Sequence, residues 1–254
     1  MQGGRLRVLI IGGYGVFGGR LAQLLADEPR LTLIIAGRSK AKAEAFCASL
    51  TFKAEVITAA LDRESDLDAQ FAAVAPNVVV DATGPWQNYK GDVYRVLRAS
   101  LRAGADYMDL ADGSDFVRVV TQFDEEAKSR GVYALAGVSS FPVLTAAVVR
   151  RLAKDLVSVD HIAAGIAPSP YAGVGLNVIR AIASYAGQPV KLIRDGRPAT
   201  AYGLTETMRY TIAPPGHLPL KNIRFSLVDV PDLQALPPLW PGLQSIWMGA
   251  GPVP

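Results

Sequence analysis

Residues 8–19 read VLIIGGYGVFGG, an apolar run that enters a glycine cluster with nothing between. Val8, Leu9, Ile10 and Ile11 offer no polar side chain, as in a parallel strand covered on both faces. Gly12, Gly13, Gly15 and Gly18 follow, and residues 20–25 continue with helical spacing. Two motifs fit, one running from Gly13 through Gly15 to Gly18 and one from Gly12 through Gly15 to Gly18. The second starts directly after the strand and is preferred. Glycine meets three needs there: a tight turn, close approach of backbone N–H groups to a pyrophosphate, and close packing of helix on strand. The helix amino terminus adds partial positive charge. Gly12 to Gly18, with Tyr14, Val16 and Phe17 between the glycines, is therefore expected to hold a dinucleotide.

The next apolar run, residues 31–36, is the natural second strand, and it ends in Gly37, Arg38, Ser39 and Lys40. Sites that prefer NAD place an acidic residue here, on the ribose 2′-hydroxyl. Gly37 stands in its place. Arg38 and Ser39, with Lys40 and Lys42 behind them, offer charge and a hydroxyl to a 2′-phosphate, so NADP is expected over NAD, with NAD the alternative. A solvated helix start is the other reading of the same basic cluster.

Strand and helix patterns then alternate: helix 41–50, strand 54–58, helix 64–73, strand 77–81, helix 92–102, strand 105–109, helix 114–129 and strand 132–136. Six strands separated by helices predict a Rossmann-type α/β domain, a doubly wound parallel sheet over residues 1–137. Residues 138–254 read as a second, smaller α+β domain with an antiparallel sheet. Its expected elements are helix 142–154, strand 157–166, helix 174–185, a hairpin over 190–204 turning at Asp195-Gly196, and strands 209–213 and 223–228.

Half of the 254 residues are hydrophobic, enough for a sizeable core, and the formal net charge is only +3 with no basic stripe, so nucleic acid is not an expected partner. Cys47 is the single cysteine, and His161 and His217 lack cysteine partners at ligand spacing, so no metal is expected. Residues 131–149 carry no charge, but Gly137, Ser139, Ser140 and Pro142 divide them into strand, turn and helix rather than a membrane span. The amino terminus lacks a signal-peptide pattern, and a cytoplasmic location is expected.

Several motifs together resemble the saccharopine dehydrogenase-like oxidoreductases: IIGGYGVFG, AGRS at 36–39, VVVDATGPWQNY at 78–89, GADYMDLAD at 104–112 and GVSSFPVL at 137–144. The resemblance implies NAD(P)-dependent redox chemistry, often at a carbon–nitrogen bond, on a small amino, imino or keto substrate. It also implies that Thr83, Gly84 and Pro85 line the nicotinamide side of the site. The family's usual Tyr-x-Asp-Leu-Thr-Gly-Glu is matched at Tyr107, Asp109 and Leu110 but departs at Ala111, Asp112 and Gly113.

A hydride transfer needs a proton carrier nearby. The carboxyl ends of the strands supply Tyr89, Tyr107 and Asp109 as catalytic candidates, and Asp112, Ser139 and Ser140 as substrate contacts. Loop stabilisation by Asp109, and helix capping by Asp112 or Ser114, are the competing roles. Tyr171 and Asn177 are weaker substrate-side candidates. A regulatory or scaffold protein that binds NADP(H) without turnover is the alternative function. Members of the family look longer, so either the chain stops inside its second domain or that domain closes on itself. In both cases Leu239, Trp240, Leu243, Ile246 and Trp247 need an apolar cover, and a homodimer anchored by the two tryptophans is expected.

Overall fold

The computed structural model describes residues 4–84, 86, 91–167, 179–180, 183–184 and 186–251. The chain forms two compact units, Met1–Ala111 with Val119–Val138, and Asp112–Arg118 with Ser139–Pro254. In the first unit the order is β1 (Leu6–Ile11), α1 (Val16–Leu25), β2 (Leu31–Gly37), α2 (Lys40–Ala48), β3 (Glu55–Ala60), α3 (Leu67–Val74), β4 (Val78–Asp81), α4 (Arg95–Arg102) and β5 (Asp106–Asp109). It closes with α6 (Asp124–Arg130) and β6 (Ala134–Leu135), after α5 (Ser114–Val119) has left for the second unit and returned. The six strands form one parallel sheet in the order β3-β2-β1-β4-β5-β6. This is the Rossmann-type fold expected. The order reverses between β1 and β4, and the carboxyl edge at such a reversal is where open α/β sheets take ligands.

The apolar runs explain the sheet. Leu9, Ile10 and Ile11 of β1 and Leu33, Ile34 and Ile35 of β2 are fully buried, each burial contributing roughly 1.5–3 kcal/mol. Asn77 sets the register from one end, its Oδ1 accepting the Arg7 N–H at 2.8 Å.

The helix expected over 114–129 is three pieces: α5, a 3-10 turn at Val120–Phe123, and α6. Val117, Val119, Val120 and Thr121 are β-branched and weaken a continuous helix, while Asp124, Glu125 and Glu126 make a favourable first turn that restarts it. Likewise the helix expected from residue 142 begins at Thr145, after a π-type turn over Ser140–Leu144 that contains a cis Phe141–Pro142 peptide.

In the second unit α7 (Thr145–Leu152), β7 (His161–Ile166), β8 (Pro189–Arg194), β9 (Arg197–Tyr202), β10 (Thr207–Ile212), β11 (Leu220–Leu227), α8 (Asp232–Ala235) and β12 (Ser245–Ala250) follow in order. The β8–β9 hairpin turns at Asp195 and Gly196, both at positive φ (50° and 69°), as two central residues of a type I′ turn must be. Most of the helix expected over 174–185 lies outside the described residues.

One expectation is corrected here. The four-stranded sheet, ordered β10-β11-β12-β7, is mixed rather than antiparallel, because β12 pairs with β7 in parallel along its whole length. The carboxyl-terminal segment supplies that strand. Leu243, Ile246 and Trp247 are buried in the second unit's own core with Phe225, Leu227 and Met248, and Trp240 packs against the same cluster. An apolar stretch that reads as irregular for its prolines and glycines thus finds most of its cover inside the unit, with Leu239 left exposed. Among the described residues no helix is long and apolar enough to cross a membrane.

Candidate functional site

The glycines divide three tasks at the carboxyl end of β1. Gly12 has φ +77°, and a Cβ on it would lie 3.0 Å from the Ala82 carbonyl oxygen, so β1 turns against β4 there with no room for a side chain. Gly18 packs α1 onto that turn, since its Cβ would fall 2.3 Å from the Gly12 carbonyl oxygen. Gly15, between them, is exposed and is the N-cap of α1. A Cβ there would meet only the Gly12 carbonyl oxygen, at 3.1 Å. In the spacing that starts at Gly12, the first and last glycines thus make the turn and the helix packing, and the middle one is exposed. Gly13 is buried as a packing residue, its Cβ position 2.8 Å from the Ile10 carbonyl oxygen. The first turn of α1 has no acidic side chain, and Val16 and Phe17 on it are 61% and 56% exposed. The turn offers an anion backbone N–H groups and a helix dipole over open space.

At the end of β2 the Tyr14 ring lies over Gly37. A Cβ on Gly37 would stand 2.7 Å from both Cε1 and Oη of that ring. The Tyr14 hydroxyl accepts the Ser39 N–H at 3.1 Å, and Ser39 Oγ accepts the Lys42 N–H at 3.3 Å, so Ser39 caps α2 while its own hydroxyl proton remains to donate. Arg38 is exposed and makes no ion pair among the described residues. Lys40 pairs instead with Glu44, one turn along the helix, at 3.7 Å.

The loop after β4 is held by a group that sequence reasoning missed. Asp81, the last residue of β4, is buried, and its Oδ1 accepts both the N–H and the hydroxyl of Thr83, at 3.0 and 2.5 Å. Arg63 donates to Thr83 Oγ1 at 3.2 Å and lies 3.9 Å from Asp81 Oδ2. Burial drives the Asp81 carboxyl above its ordinary value, and Arg63 and Thr83 oppose it. Gly84 follows with the Trp86 ring against its Cα, 2.5 Å from where a Cβ would be. Pro85 and Tyr89 lie outside the described residues.

The family described as the saccharopine dehydrogenase NADP binding domain matches residues 8–136. The chain belongs to this family. No curated protein matches it. In structure it is similar to the saccharopine dehydrogenase (L-Glu forming) of Saccharomyces cerevisiae, with a TM-score of 0.67 and 16% identity over 97% of this chain and 55% of the yeast chain. The chain therefore spans about half the length of that enzyme. Weaker likenesses include the WlbA dehydrogenase of Thermus thermophilus, solved with NAD and alpha-ketoglutarate (TM-score 0.49, 11% identity, 97% of this chain and 73% of that one). The biliverdin reductase of Synechocystis is another (TM-score 0.45, 15% identity, 97% and 72%). Membership makes this an NAD(P)-binding oxidoreductase family of the saccharopine dehydrogenase type.

In this saccharopine dehydrogenase-type domain Tyr107 and Asp109, expected as proton carriers, are both buried. The Tyr107 hydroxyl donates to Asp109 Oδ2 at 2.9 Å, and Asp109 Oδ1 accepts the Ala111 and Gly137 N–H groups at 2.9 and 2.7 Å. Burial pushes the Asp109 carboxyl up to about 7, against the pull of those three donors, with the nearby Asp81 charge adding to the rise. Neither side chain presents its polar atoms to solvent.

The substrate candidates Asp112, Ser139 and Ser140 are exposed and belong to the second unit, where Tyr171 and Asn177 lie outside the described residues. Ser114 is the first residue of α5. Its hydroxyl donates to Asp229 Oδ1 at 2.6 Å, and burial raises the Asp229 carboxyl while that bond lowers it. Asp232, at the start of α8, is a second residue with no local signal of a role. It is fully buried, and neither of its carboxylate oxygens has a well-formed hydrogen bond among the described residues. The neighbouring Thr145 hydroxyl is directed at the Ser140 carbonyl, 3.2 Å away, and eases it only slightly, so burial lifts the Asp232 carboxyl to about 6.

Proposed function

We propose that this chain is an NADP-dependent oxidoreductase that moves a hydride to or from a small amino, imino or keto substrate. The observation that carries the cofactor preference is the Tyr14 ring over Gly37. It bars a side chain from the position where an acid would bond a 2′-hydroxyl, while Arg38 and the Ser39 hydroxyl stand beside it for a 2′-phosphate. Gly12, Gly15 and Gly18 fit the pyrophosphate, since exposed backbone at Gly15 faces open space and any larger residue at Gly12 or Gly18 would collide. Thr83 and Gly84, fixed by Asp81, would line the nicotinamide side. Bound NADP supplies the hydride chemistry, and the chain's own part is to hold it by these backbone and side-chain groups.

The burial of Tyr107 and Asp109 favours a second reading, an NADP(H)-binding regulatory or scaffold protein without turnover. One assay separates the two: purified protein with NADPH is offered mixtures of imines and 2-keto acids while nicotinamide absorbance is followed. Substrate-dependent loss of absorbance supports the enzyme. Tight NADPH binding with no substrate-dependent change across both mixtures supports the second reading.

A further inference from the structure

The chain crosses between its two units at three places, Ala111 to Asp112, Arg118 to Val119 and Val138 to Ser139. A single residue on β5 reaches two of them. Asp109 Oδ1 accepts from Ala111 N at 2.9 Å and from Gly137 N at 2.7 Å, and its backbone carbonyl accepts from Val138 N at 2.8 Å. The sheet does not do this work. β6 pairs with β5 only at Tyr107–Ala134 and Met108–Leu135, and beyond that the chain turns at Gly137, whose φ is +67°. The Asp109 carboxylate takes over where the ladder stops.

We propose that Asp109 is a positioning residue that fixes both points at which the chain leaves the first unit, so that the segments beginning at Asp112 and Ser139 start from one shared anchor. A carboxyl suits this task because one of its oxygens can accept two backbone N–H groups at once. Tyr107 completes it by donating to the other oxygen, Oδ2. The titratable and charged groups around Asp109 are Tyr107 on β5 and Asp81 on β4, with Arg63 beyond Asp81; β6 contributes none. When Asp109 holds a proton, Oδ1 remains the acceptor of both backbone N–H groups. Burial holds this carboxyl up at about 7 because the ionised form is costly in place, whereas a carboxyl reached by water ionises at its ordinary value, so the anchor is tightest below that titration and slackens as pH rises through it. This inference does not depend on which cofactor the first unit binds.

Residue-resolved hydrogen exchange on the full chain tests it, comparing the parent with Asp109→Asn and Asp109→Ala at pH 6 and pH 8, without cofactor. Exchange is expressed as protection against each amide's intrinsic rate at the same pH. In the parent, protection at Ala111, Gly137 and Val138 is expected to be about tenfold lower at pH 8 than at pH 6. Asp109→Asn, which keeps an acceptor but cannot titrate, should show no such difference between the two pH values. Asp109→Ala should lose protection at these amides while β1 keeps its own. If Asp109→Ala does not fold, Asp109→Asn decides alone. A pH dependence unchanged in Asp109→Asn, or a uniform loss of protection throughout the first unit in Asp109→Ala, would overturn the proposal.

Discussion

Tyr14 and Gly37 occupy each other's space: the ring carried inside the glycine turn fills the position where the residue at the end of β2 would carry its side chain, at 2.7 Å from a Cβ. Grafting the acid of an NAD site onto this chain should therefore fail by itself. Gly37→Asp is expected to weaken NADPH and NADH alike, because the new side chain must displace the Tyr14 ring and its bond to Ser39. Adding Tyr14→Ala should restore NADH binding to the double variant and leave NADPH weak. Titration by nicotinamide fluorescence checks this, and tight NADH binding by Gly37→Asp alone would contradict it.

Two glycines one turn apart should respond in opposite ways to the same substitution. Gly15→Val leaves the protein folded, since its backbone (φ −81°) suits any residue and a Cβ meets one atom at 3.1 Å, but the branched side chain occupies the pyrophosphate's space. Dinucleotide binding is lost. Gly18→Val places a Cβ 2.3 Å from backbone, forcing α1 off the turn, and should destabilise by at least the roughly 1–3 kcal/mol typical of overpacking. Circular dichroism and thermal melts separate the outcomes, and near-normal NADPH affinity in folded Gly15→Val would show that this turn is not the phosphate site.

Asp232 makes stability depend on pH. Its carboxyl is raised from an ordinary 3.8 to about 6 by burial, so the folded state holds the proton more tightly than the unfolded state does. The contribution is complete below pH 3.8, falls as pH rises through about 6, and is constant above that, a change on the order of 3 kcal/mol. Asp232→Asn lacks this titration. In urea denaturation from pH 4 to pH 8 the variant should gain on the parent by about that amount, whereas a difference that stays flat with pH would contradict the burial argument.

Trp247 belongs to the second unit's core, 8% exposed and 6.3 Å from Tyr210 between ring centroids. Trp247→Ala should cost roughly 3–5 kcal/mol of stability. Light scattering should find the same mass as for the parent. Unchanged stability with a reduced mass would return the residue to an interface.

The sequence made the first unit legible because its strands are continuous apolar runs and its glycines sit where backbone must touch backbone. Val8 to Ile11, the Gly12 turn and the Asp195-Gly196 hairpin all follow from local rules. What stayed hidden depends on partners distant in the chain. β12 reads as an irregular tail because its pairing strand, β7, lies some eighty residues earlier, as in the His161–Ser245 register. Arg63 carries no local mark of its bond to Thr83, and the isolation of Asp232 shows only once its neighbours are in place. Asp109 was visible as a residue, but its role was not, since the Gly137 N–H it accepts comes from the turn after β6, 28 residues on.

The dinucleotide is expected to be held by the glycine turn with its 2′-phosphate at Arg38. Parallel titrations of the parent and Arg38→Ala with NADPH and NADH test that directly. The parent should bind NADPH more tightly than NADH, and Arg38→Ala should lose roughly 10- to 150-fold for NADPH, the cost of a hydrogen bond to a charged group, with NADH almost unchanged. Equal affinities in the parent, or equal losses for both cofactors in the variant, would contradict it.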